Sequence, residues 1–256
     1  MLLNKWVRPA LFVMMVALSA SASAEDLLVA AASDLSFVLP EINKAFEVKY
    51  PGVTVKVSLG SSGNFYTQIQ NGAPYQVFMS ADEKYPRGLI AAGNTVADTY
   101  NVYGTGRIVL WSMKPELNLS QGLSGLVDVK VAKIAIANPA HAPYGRAAEA
   151  AMKKQGVWDA LQPKLVLGEN ISQTAQFVQT GNVDVGMVAM SLVLSPKMQG
   201  VGRWAEISTA LYPALVQAAV VTKVGENSAT ARAFVKFLDT PVARELLQKY
   251  GFRDTK

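Results

Sequence analysis

Residues 57–69 read VSLGSSGNFYTQI. Val57 and Leu59 continue an alternation that begins at Val53, so the stretch opens as a strand. Gly60-Ser61-Ser62-Gly63 breaks it, and a helix is predicted over 65–71. Residues 27–50 repeat the arrangement. Leu27–Ala31 is a short apolar run, as expected of a parallel strand buried on both faces. Ser33-Asp34 follows, and apolar positions at Leu35, Val38, Ile42, Ala45 and Phe46 predict a helix over 35–50. Each junction offers serine hydroxyls and free backbone N–H groups, with no histidine, cysteine or lysine beside them.

The alternation continues along the chain. Further strands are predicted at 76–79, 108–111, 134–137, 165–167, 183–189 and 215–222. Further helices are predicted from an Asp82 cap to Ala92 and at 145–155, 172–180, 227–239 and 241–250. This is an α/β pattern with mostly parallel strands and no internal repeat. Two later stretches copy the strand–loop–helix junction: IANPAHAPYGRAAEA (136–150) and LVLGENISQTAQ (165–176). Open α/β sheets bind ligands at the carboxyl ends of their strands. Each helix N-terminus there carries about half a positive elementary charge and several unclaimed N–H donors. Four such ends converging make a site for an anion that needs no cationic side chain.

Bulk composition narrows the field. The chain has 256 residues, 50% hydrophobic and 17% charged, which suits one large or two modest domains and excludes general disorder. Residues 1–24 combine Lys5 and Arg8, an apolar run from Ala10 to Leu18, and Ala22-Ser23-Ala24. That is the layout of a secretory signal, with cleavage expected after Ala24 and a periplasmic destination. The apolar run is too short to span a membrane. There is no cysteine, so disulfides, thiol catalysis and cysteine metal sites are excluded. The net charge is +5, and removing Lys5 and Arg8 leaves 22 basic against 19 acidic residues. No basic run with interleaved aromatics points to nucleic acid.

Catalytic readings find little support. Gly60–Gly63 lacks the length and the Gly-Lys-Ser/Thr ending of a phosphate loop, and it is not a Gly-x-Ser-x-Gly nucleophile turn. The single histidine, His141, lies in a proline-rich loop and reads as a brace hydrogen-bonded locally. Phe65, Tyr66, Trp158 and Trp204 read as packing. Tyr75, Tyr85 and Tyr103 are not adjacent, as a ferric site would want, and no acidic spacing suggests a calcium loop. A cell-envelope serine hydrolase and a purely structural domain remain as other classes. The first lacks a base for its serine, and the second leaves four polar junctions unexplained.

The chain resembles the periplasmic molybdate-binding proteins of ABC-type molybdate importers. The resemblance rests on VAAASDL (29–35), GSSGNFYTQIQNGAPYQVFMSAD (60–82), IANPAHAPYG (136–145), GVWDALQPKLVLGENISQTAQFVQTGNVDVGMV (156–188) and LLQKYGF (246–252). It implies a two-lobe periplasmic binding protein of type II, with lobe I at 25–104 plus 216–256 and lobe II at 105–215. It implies a monomer that binds molybdate, and tungstate with it, and delivers it to a membrane permease, with no cofactor and no catalytic residue. The family's ligand positions fall on Ser33, Ser62, the backbone N–H of Tyr144 and the backbone N–H of Ile171. Ser61 and the backbone of Asp34 are secondary candidates. Asp34 is expected to turn its carboxylate away from the anion and cap the following helix.

Two positions depart from the family. Many relatives place a tyrosine hydroxyl on the ligand where this chain has Ala189, and Tyr144 is the candidate replacement. Gln76 stands where an aspartate is usual. Sulfate, thiosulfate and phosphate stay open as ligands, because cleft size is not written in the sequence.

Overall fold

A computed structural model describes residues 25–254, and the expected leader with its cleavage site lies outside them. The chain begins with β1 (Glu25–Ala32), α1 (Val38–Lys49), β2 (Val53–Gly60), α2 (Ser62–Gln70), β3 (Val77–Ser80), α3 (Lys84–Ala91) and β4 (Asn101–Gly106). It continues through β5 (Ile108–Ser112), β6 (Ile134–Ala137), α4 (Pro143–Lys154), α5 (Trp158–Leu161), β7 (Leu165–Gly168), α6 (Ile171–Gln179), β8 (Val185–Ala189), α7 (Met190–Val193) and β9 (Arg203–Glu206). It closes with β10 (Leu215–Val221), α8 (Ala229–Phe237) and α9 (Pro241–Lys249).

Two five-stranded sheets result, ordered β2-β1-β3-β10-β4 and β7-β6-β8-β5-β9. The chain crosses from the first to the second at Arg107 and returns between Glu206 and Leu215. Four strands of each sheet run one way. The exceptions are β10, antiparallel to β3 and β4, and β5, antiparallel to β8 and β9. Each exception is the strand that has just arrived from the other sheet. It enters at the end where its neighbours finish, so it has to run against them. Both crossings therefore lie at the carboxyl ends of the other strands, between the sheets.

Each sheet is covered on both faces. Leu27, Val29 and Ala31 of β1 pack with Leu39, Ile42 and Phe46 of α1 and with Phe234 of α8. Ala30 faces the other way, toward Phe65 of α2 and Leu89 of α3. In the second sheet Ile134 and Ile136 meet Ala147, Ala148 and Ala151 of α4, while Ala135 meets Val178 of α6. Continuous apolar strand sequences follow from this double burial.

Helix starts differ from expectation where capping decides. α2 starts at Ser62 instead of 65, because Ser61 caps it. α4 starts at Pro143, whose fixed φ and missing N–H suit the first helical position. α1 starts only at Val38, after a 3-10 turn over Ser33–Leu35. Neither β4 nor β9 is among the predicted strands, and both lie at sheet edges. The Arg-Trp-Ala-Glu sequence of β9 is mostly exposed and lacks apolar alternation, and β4 carries two glycines in six residues.

Candidate functional site

Three helices point their N-termini into the space between the sheets. Ser61 precedes α2 in an extended conformation, and its hydroxyl accepts the Asn64 N–H at 3.4 Å. The Gly63 N–H goes to the His141 carbonyl at 2.9 Å, which leaves the Ser62 N–H. Asn170 caps α6 by accepting the N–H groups of Ser172 and Gln173, both at 3.0 Å, which leaves that of Ile171. In α4 the first position is Pro143, and the Tyr144 N–H behind it has no intrahelical acceptor. Ser62, Tyr144 and Ile171 line one cavity, together with Ser33, Asp34, Ser61, Gly60 and Pro143. It is a tight cavity, with room for about one water molecule. Among the described residues, no lysine, arginine or histidine lines it.

Ser62 is fully buried, and its hydroxyl oxygen accepts the Ala81 N–H at 3.0 Å. Its proton has no acceptor among the described residues and is free to donate into the cavity. Ser33 is 2% exposed; its hydroxyl donates to Asn170 Oδ1 at 3.1 Å and accepts the Ser172 N–H at 3.3 Å. Ser33 and Asn170 thus tie the end of β1 to the start of α6.

Asp34 caps no helix, because the 3-10 turn places it four residues before α1, and its carboxylate goes to Gln217 and Tyr144 instead. Its side chain is fully buried, and Oδ2 accepts hydrogen bonds from Gln217 Nε2 at 2.6 Å and from the Tyr144 hydroxyl at 2.9 Å. Oδ1 has no partner among the described residues. Burial pushes this carboxyl up to about 6, against the opposing pull of the Gln217 and Tyr144 bonds and of its own backbone N–H. The Tyr144 hydroxyl is committed to Asp34. It is held well above its ordinary pKa by burial and then by the neighbouring carboxylate. Its position over the crossing requires Gly106, where a Cβ would lie 2.3 Å from the hydroxyl. Gln217 continues the network, accepting the Tyr103 hydroxyl at 2.8 Å. Ala189 is buried in the core and does not line the cavity.

A second set of contacts joins the halves at the rim. His141 is not braced locally. Its Nδ1 lies 2.9 Å from Ser61 Oγ, its Nε2 lies 3.7 Å from Glu169, and its carbonyl accepts both Gly63 N–H and the Tyr85 hydroxyl. Asn64 donates to Glu169, and Arg146 pairs with Asp82 at 2.5 Å.

Sequence reasoning missed Asn170 and Gln217. Asn170 carried a readable signal, an asparagine directly before a helical pattern. Gln217 is a lone amide inside the apolar run LVQAAVV, and a polar group in a doubly buried strand needs a buried partner.

Comparison with known proteins agrees with this geometry. The family described as "Bacterial extracellular solute-binding protein" matches residues 27–253. The molybdate-binding protein ModA of Rhodobacter capsulatus is 39% identical over 93% of this chain and 92% of its own length. That of Azotobacter vinelandii is 39% identical over 92% of each. The solved structure of the Azotobacter vinelandii periplasmic molybdate-binding protein superposes with a TM-score of 0.85 at 34% identity, covering 90% of this chain and all of that one. A sulfate-binding protein of Mycobacterium tuberculosis superposes at 0.74 with 15% identity over 91% of this chain and 88% of its own, which shows a shared fold alone. The chain therefore belongs to the bacterial extracellular solute-binding proteins, among relatives that are molybdate-binding proteins.

Proposed function

We propose that this protein captures molybdate, and tungstate with it, in the periplasm and hands it to the membrane permease of an ABC importer. The observation that carries the reading is the cavity itself. Three helix N-termini and a buried serine hydroxyl converge on it without one cationic side chain. Neutral donors around a small anion replace its hydration shell, and each hydrogen bond to a charged group is worth about 1.5–3 kcal/mol. Ser62, Ser33 and the N–H groups of Tyr144 and Ile171 are the proposed contacts, with Ser61 and Asn170 holding the loops in register. The two sheets with their helices act as lobes, 25–104 plus 216–256 and 105–215, turning about the crossings at Arg107 and at Tyr212–Leu215.

Scanning calorimetry tests the ligand. Molybdate or tungstate at a hundredfold excess over its dissociation constant is expected to stabilise the protein by about 2.7 kcal/mol, with a much smaller effect from sulfate. Equal shifts from all three would remove the selectivity, and no shift from any would remove the reading.

A further inference from the structure

Arg146 lies on α4, three residues past Pro143, and almost everything its guanidinium touches belongs to the other lobe. One Nη meets Asp82 Oδ2 at 2.5 Å, and the other donates to the Tyr85 hydroxyl at 3.0 Å. The guanidinium also stands 5.1 Å from the centre of the Tyr85 ring. Within its own lobe it reaches the Pro139 carbonyl, at 3.5 Å. Asp82 is anchored differently. Its Oδ1 accepts the Ser80 hydroxyl and the Tyr85 N–H, both at 3.3 Å and both in its own lobe. Parting the lobes therefore leaves Asp82 in place and strips Arg146 of its partners.

Asp82, Pro143, Arg146 and Leu215 line a second interlobe cavity, and Pro143 is also part of the wall of the anion cavity. Arginine carries its charge at every working pH. In the open protein a bare guanidinium thus stands beside the anion site without entering it. We propose that Arg146 is a capture residue with two states: its free charge draws the oxyanion into the open cleft, and on closure Asp82 takes that charge up and helps to hold the lobes together. The inference rests on the oxyanion reading above and adds how a site built from neutral donors attracts a dianion.

The charges around the rim give Arg146 this role. Without it, the carboxylates of Asp82 and Glu169 would face an incoming dianion from the two lobes. His141 lies against Glu169, which offsets any charge that it gains. Arg107 and Arg253 share Glu206 and line neither cavity. Pairing on closure also matters for selectivity. A bare cation beside the bound ion would hold any dianion by charge alone. Once Asp82 neutralises it, discrimination returns to the fixed N–H and hydroxyl donors.

The test separates association from dissociation. Titration calorimetry with sodium molybdate gives the dissociation constant, and a rapid-filtration chase of radiolabelled molybdate gives the dissociation rate. The association rate follows from the two. Both are run in about 10 mM and about 1 M sodium chloride, where charges are felt over about 30 Å and about 3 Å. Arg146→Gln should associate roughly threefold more slowly than the wild type at low salt and equally fast at high salt. It should also release molybdate about three- to tenfold faster, because an interlobe ion pair and a ring contact are gone. Arg146→Lys keeps the charge and loses the planar fork, so it should associate like the wild type and release faster. Asp82→Asn should release faster and associate no more slowly. Association of Arg146→Gln at the wild-type rate in low salt would overturn the inference while leaving the oxyanion reading intact. So would an Arg146→Lys that associates as slowly as Arg146→Gln, since charge would then not be the cause. Absence of any binding by the wild type would instead overturn the oxyanion reading, and this inference with it.

Discussion

Replacing Gly63 with alanine should weaken anion binding without weakening the free protein. A Cβ at this position would lie 2.6 Å from the His141 carbonyl oxygen, 2.8 Å from His141 Cβ and 2.5 Å from the Tyr85 hydroxyl. Tyr85 is the end of a side chain in the same half and has room to turn. The His141 carbonyl is backbone of the facing half. Ordinary contact begins at 3.4 Å, so that segment must retreat by about 0.8 Å. Three rim contacts stretch with it: Gly63 N–H to His141 O at 2.9 Å, the Tyr85 hydroxyl to the same oxygen at 3.3 Å, and His141 to Ser61 at 2.9 Å. At about 0.5–1.5 kcal/mol each, the closed arrangement loses about 1.5–4.5 kcal/mol, or one to three decades of affinity. α2 itself tolerates the change, because Gly63 has no left-handed φ and alanine is favoured over glycine in a helix by up to about 1 kcal/mol. Calorimetric scans of Gly63→Ala without ligand should thus match or exceed the wild type. Titration with molybdate should show the loss. Wild-type affinity in the variant would refute the argument, since it would mean that the rim contacts are not part of the bound state.

Other outcomes follow from the same geometry. Ser62→Ala removes a buried hydroxyl whose proton faces the cavity, and titration calorimetry should show affinity lower by one to two decades. Tyr144→Phe acts through Asp34 rather than on the anion. It should leave the Tyr144 N–H contact intact, cost less affinity than Ser62→Ala, and raise the midpoint of the Asp34 carboxyl in a carboxyl-region NMR titration. The folded Asp34 carboxyl at about 6, against 3.8 when unperturbed, binds its proton more tightly in the folded state, so its stabilisation is present at low pH and lost as pH rises through about 6. The full effect is about 3 kcal/mol, roughly half of it between pH 8 and pH 5, and urea titrations of the wild type and of Asp34→Asn should differ by that amount. Small-angle scattering should show compaction on adding molybdate, and an unchanged profile at saturation would argue against turning about the two crossings.

The layout of the site was legible because it depends on local signals. Strand-to-helix junctions with serine, asparagine or proline at the turn announce both a helix start and a group of free donors, and Ser33, Ser62, Tyr144 and Ile171 come together in one cavity. What escaped the sequence depends on distance across the fold. Asp34 follows Ser33 in a pattern that suits a cap, and nothing local shows that Tyr144 and Gln217 arrive 110 and 183 residues later to receive its carboxylate. His141 likewise reads as a loop residue until Gly63 and Ser61 are set against it. The direction of β5 and β10 follows from the crossings, which only a tertiary view supplies.

The order of the first sheet has a consequence for synthesis. β10 lies between β3 and β4, so the interior of that sheet is completed by a strand that leaves the ribosome more than a hundred residues after its neighbours. Until residues 215–221 are made, β3 and β4 have no partner on the sides that will face them, and the first half cannot close its core. Pairings of such long sequence separation form slowly, because the loop must be closed before the contacts repay it. A nascent chain of this design stays open until it is nearly complete, which is the state in which a polypeptide can be threaded through a membrane channel.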